Sequence, residues 1–107
     1  MEYLNFDTFY NADLATYCKE CFQEKLDNDH VTRTYIRVLF TAAKHYDRFL
    51  QTYCHDDFRS YDDTRKAEYT SYLEEQSYSE LQLPFTEKYI RFLTAVPAIL
   101  FLRSNKG

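Results

Sequence analysis

The sequence predicts an all-α fold: a compact bundle of about four helices with short loops, the last helix kinked or broken at Pro97. Three observations carry this. The only Gly is the last residue, Gly107, and the only prolines are Pro84 and Pro97, so the punctuation of β-hairpins is missing. Apolar residues recur three and four apart, the period of a helix face. At 107 residues the chain is near the commonest domain size and reads as a single helical domain, 1–107.

The elements follow in order. Tyr10, Leu14, Tyr17 and Cys21 mark one face of a first helix, with Asp7 as its N-cap. It runs to about residue 26 and stops at the turn-favouring Asp27, Asn28 and Asp29. The second helix, about 30 to 54 and so including His30, has the clearest pattern. Ile36, Ala43 and Leu50 share one heptad position, and Leu39, Tyr46 and Tyr53 share its partner. Phe40 and Phe49 widen that stripe into the face of a core-packed helix. A polar connection at 56–60 leads to a third helix, about 61–76, opened by a Ser60/Asp63 capping box. Its apolar face is thin: Tyr69, Tyr72 and Leu73. Ser79 and Gln82 make a second capping box for a short turn that Pro84 ends. In the last helix Thr86 caps, and Phe85 staples against Ile90. Residues 98–102 are apolar on every side and read as buried, with a short strand as the alternative to helix.

Composition removes several function classes. Phosphate loops, dinucleotide fingerprints and nucleophile elbows need Gly where backbone must approach a ligand or turn sharply, and none is placed to serve. The net charge of −4, with no basic stripe, argues against direct nucleic-acid binding. The apolar run at 92–102 is interrupted by Thr94 and Pro97 and falls short of the ~20 residues a bilayer span needs, so no membrane is expected. Three Cys, and an N-terminus without a basic leader, point to free thiols in a reducing, cytoplasmic setting.

Cys18 and Cys21 form a C-x-x-C, and a zinc-dependent regulator built on them, with Cys54, His55 and His45, is one alternative. Adjacent Cys54 and His55 would point about 100° apart on a helix, and there is no second C-x-x-C. The sequence reads Cys21 as a small buried hydrophobe on the apolar stripe. His45 beside Asp47, and His55 beside Asp56 and Asp57, do not face each other on a helix. No catalytic residue, metal or cofactor is therefore expected, and the chain is not read as an enzyme.

Residues 56–80 are the most unusual stretch. They carry −5, against −2 for 1–55 and +3 for 81–107, and Tyr61, Tyr69, Tyr72 and Tyr78 are interleaved. Carboxylates speed encounter with a basic partner, and Tyr supplies contact area with few rotors. The partner-binding set read from this pattern is Asp56, Asp57, Tyr61, Asp62, Asp63, Glu68, Tyr69, Tyr72 and Glu75. In composition alone the chain resembles immunity proteins of bacterial nuclease toxins, phage-encoded inhibitors and DNA-mimicking proteins, which are short and acidic. That resemblance implies a small intracellular binding protein, of immunity-protein, antitoxin or phage-inhibitor type. Such a protein neutralises a basic protein partner by steric and electrostatic blockade, without turnover. The second reading is a self-associating structural or regulatory adaptor, a homodimer through Ile36, Leu39, Ala43, Tyr46, Leu50 and Tyr53.

Overall fold

A computed structural model describes residues 3–28, 31–79 and 85–104. Its described residues form four α-helices and one short 3₁₀ turn, with no strand. The elements are the 3₁₀ turn Phe6–Thr8, α1 (Ala12–Asn28), α2 (Arg33–Tyr53), α3 (Asp63–Ser79) and α4 (Glu87–Ser104). The all-α expectation is met, and the strand alternative at 98–102 is corrected to helix. The chain divides into two units, residues 1–58 and 59–107. In the first, α1 packs on α2 and on the 3₁₀ turn; in the second, α3 packs on α4.

Asp7 does not cap α1. Asn5 caps the 3₁₀ turn by accepting the Asp7 N–H on its side chain at 3.1 Å, and extended backbone at Phe9 ends that turn. Asn11 then opens α1, its Oδ1 accepting the Leu14 N–H at 3.0 Å and its carbonyl the Ala15 N–H at 3.1 Å. The buried face of α1 is Leu14, Ala15, Cys18, Phe22 and Lys25. Tyr10 is 46 % exposed, and Cys18 rather than Cys21 takes the buried position. The face is set by Phe22, whose ring meets Phe6 at 6.2 Å, while Phe6 also meets Phe9 and Phe40 at 5.9 and 5.3 Å.

Thr32 caps α2, its hydroxyl oxygen accepting the Tyr35 N–H at 3.1 Å. The helix ends in a left-handed residue, Cys54 at φ 55°, ψ 39°. The Cys54 N–H bonds the Gln51 carbonyl and the His55 N–H bonds the Leu50 carbonyl at 2.9 Å, the paired closure of a Schellman end. Gly usually takes that left-handed position. With no Gly nearby, a Cβ-bearing residue holds it.

A buried carboxylate joins α1 to α2. Asp47 is 2 % exposed and accepts the Tyr10 and Asn11 N–H groups on its two oxygens, at 2.8 and 2.9 Å. It thereby satisfies donors at the start of α1 and sets a negative charge at the positive end of that helix. Asn11 extends the network, its Nδ2 donating to the Asp56 carbonyl at 2.9 Å. The Tyr46 hydroxyl donates to the Phe58 carbonyl at 2.9 Å, and the Phe58 ring lies 5.5 Å from that of Tyr17.

In the second unit Asp62, not Ser60, caps α3. Its Oδ1 accepts the Arg65 N–H at 2.8 Å and its carbonyl the Lys66 N–H at 2.9 Å. α3 begins at Asp63, so Asp62 is the residue that directly precedes the helix, from which a carboxylate accepts the N–H three residues on. Thr86 caps α4 as expected, accepting the Tyr89 N–H at 3.0 Å. The Phe85 ring packs on Tyr89, with centroids 5.5 Å apart. The helix runs on through Pro97 rather than ending there. Pro97 lacks an N–H to give to the helix ladder. Three residues earlier, the Thr94 carbonyl accepts the Tyr61 hydroxyl. His30, the Ser79/Gln82 capping box, Pro84 and the side chain of Tyr78 lie outside the described residues.

Candidate functional site

The structure divides the nine proposed contact residues by chemistry. Tyr61, Tyr69 and Tyr72 are 8 %, 0 % and 7 % exposed, so they are core residues and not presented contacts. The reason lies in α3 itself. Its one aliphatic core residue is Leu73, so Tyr69 and Tyr72, stacked with centroids 6.4 Å apart, supply the apolar area that packs it. Tyr61 is fixed by its bond to the Thr94 carbonyl.

The carboxylates behave as expected of a solvated surface. Asp62, Asp63 and Glu75 are exposed, as is Glu74, which the sequence reading left out; Glu68 is half-buried. Asp63, Glu74 and Glu75 are the exposed carboxylates within α3, and Lys66 is an exposed cation of the same helix. Asp62 is partly engaged as the α3 cap. Asp56 and Asp57 are exposed but belong to the first unit.

The stripe offered for self-association is consumed within the chain. Ile36, Leu39, Ala43, Tyr46 and Leu50 are 0–3 % exposed, and of the six only Tyr53, at 39 %, reaches the surface. A homodimer through that stripe is therefore corrected: its apolar face is already covered.

Cys18 is buried, Cys21 half-buried and Cys54 exposed. Burial, reinforced by Cys21 and then Asp47, pushes the Cys18 thiol far above the ordinary thiol range, against thiolate ligation. Among the described residues no three His, Cys, Asp or Glu side chains are grouped to hold a metal ion. Burial, with a smaller push from Arg48, holds His45 below its usual range. Lys44 donates to the Thr8 carbonyl and hydroxyl at 2.7 and 2.9 Å and sits 4.8 Å from the Phe9 ring. Burial lowers its pKa, partly offset by Asp47.

A concave feature in the first unit was not read from the sequence. A groove of about 750 Å³ lies between residues 4–7 and the face of α1 that carries Glu20, Glu24 and Asp27. Those three carboxylates recur at i, i+4 and i+7, a spacing that could have marked them as one helix face. What the sequence did not reveal is that the 3₁₀ turn folds back beside them. The opposite sign gathers elsewhere in this unit, where the Arg33 and Arg37 guanidinium groups lie 5.0 and 5.3 Å from the Tyr3 ring.

No family model, curated protein or solved structure matches the sequence. No helix among the described residues is long and apolar enough to cross a membrane.

Proposed function

We propose that this chain is a binding protein that neutralises a basic protein partner by covering its working surface, in the manner of an immunity protein, antitoxin or phage inhibitor. The observation that carries the reading is the exposed acidic surface of α3, where Asp63, Glu74 and Glu75 reach solvent and Lys66 is the exposed cation of the helix. Such a surface steers a cationic partner into encounter and fixes its approach. The buried tyrosines hold the helix that displays it. The mechanism is occlusion, with no bond made or broken.

The test is capture from the native host on the immobilised chain, washed at low and at high salt, beside a D63K/E74K/E75K control. Asp62 is left intact because reversing it would remove the α3 cap. One basic protein retained at low salt, released at high salt and absent from the control supports the reading. Equal retention by the control removes it.

A further inference from the structure

The groove beside α1 has the size and lining of a docking cleft. Its volume of about 750 Å³ falls inside the ~300–1,000 Å³ range of ligand clefts. Leu4 and Phe6 supply apolar lining on one wall, and Phe6 is held in place by its ring contacts with Phe9, Phe22 and Phe40. Asp7 follows on the same wall, and Glu20, Glu24 and Asp27 stand on the other. Among the described lining residues Lys19 is the one cation, which leaves them a net charge of −3. Gln23 donates to the Asp27 carboxylate at 3.0 Å, steadying that side chain on the α1 wall.

We infer that this groove docks a short basic segment of a partner protein, in which Arg or Lys alternates with apolar side chains. The inference rests on the partner being basic, as proposed above, but it assigns a different surface. Three considerations select the occupant. An acidic segment would meet four carboxylates. A wholly apolar ligand would strip water from those carboxylates and return nothing to them. A lone small cation would leave most of the groove unfilled, since α1 contributes residues from Lys19 to Asn28, a run of roughly 14 Å at 1.5 Å per residue. That run matches about four residues of extended chain. Apolar side chains then rest on Leu4 and Phe6, while guanidinium or ammonium heads reach Glu20, Glu24 and Asp27.

The experiment titrates the full ¹⁵N-labelled chain with a synthetic octapeptide of alternating Arg and Leu, with a Glu/Leu octapeptide as control. The expected result is amide shifts concentrated at residues 4–7 and 19–28, silence with the control, and binding weakened by about tenfold or more in E20K/E24K. Both substitutions are at exposed positions, and the same spectra report whether the variant is folded. Shifts confined to residues 62–75 would overturn the groove and leave the α3 reading standing. Shifts in neither region would overturn the groove, while the α3 reading stands or falls on the capture experiment. Equal shifts with the Glu/Leu peptide would overturn the charge selection.

Discussion

The two units fasten their helices with different chemistry. In residues 1–58 the α1–α2 joint is polar at its centre: a carboxylate at 2 % exposure accepts two backbone N–H groups from a segment 36 and 37 residues away. Among the described residues of 59–107 the buried set is Tyr61, Tyr69, Tyr72 and Leu73 with Leu93, Val96, Pro97, Leu100 and Phe101, and Thr94 is the one buried polar residue. The first arrangement gains directional precision, because only one placement of α1 satisfies both Asp47 oxygens. The second tolerates a helix whose sequence is mostly charged, because a tyrosine buries a large ring and needs only one partner for its hydroxyl.

That contrast is open to mutation. The largest expected effect is in the second unit, where Tyr69→Ala removes a fully buried ring and should cost about 4 kcal/mol, read from denaturant unfolding. Asp47→Ala should cost about 3 kcal/mol by leaving two N–H groups without their acceptor, and Asp47→Asn should recover part of that loss. A cost under about 1 kcal/mol for Asp47→Ala would show that the polar joint is dispensable. Cys54→Gly should stabilise by about 1 kcal/mol, because Gly adopts the left-handed position without the clash that Cβ makes. The smallest effect is pH-dependent. His45 is held below its unfolded value of 6.5, so the unfolded chain takes up a proton first as pH falls. Stability from this source is full above pH 6.5 and declines below it until the folded form protonates too; His45→Gln should flatten that slope.

The same contrast explains what the sequence made legible. The stripe of α2 is apolar at Ile36, Leu39, Ala43, Tyr46 and Leu50, and all five are buried, because a wide helical period leaves one face to bury. Thr86 was readable as a cap for a local reason: its hydroxyl needs only the N–H three residues on. Asp47 was not readable, since its partners lie on another element and a lone Asp in a helix pattern signals solvent. Tyr61, Tyr69 and Tyr72 were misjudged because Tyr suits interface and core alike. Choosing between them required knowing that α3 has little else to bury. The groove was invisible for a topological reason, since a 3₁₀ turn ended by extended Phe9 is what brings Leu4 and Phe6 beside α1.

The central claim is that the α3 carboxylates, and not its tyrosines, meet the partner. The direct measurement is the association rate of the captured partner with the wild-type chain and with D63K/E74K/E75K, across a range of salt. The account predicts that the variant associates about tenfold or more slowly at low salt, and that its salt dependence is flatter than the wild type's. An association rate and salt slope unchanged by the three reversals would contradict it.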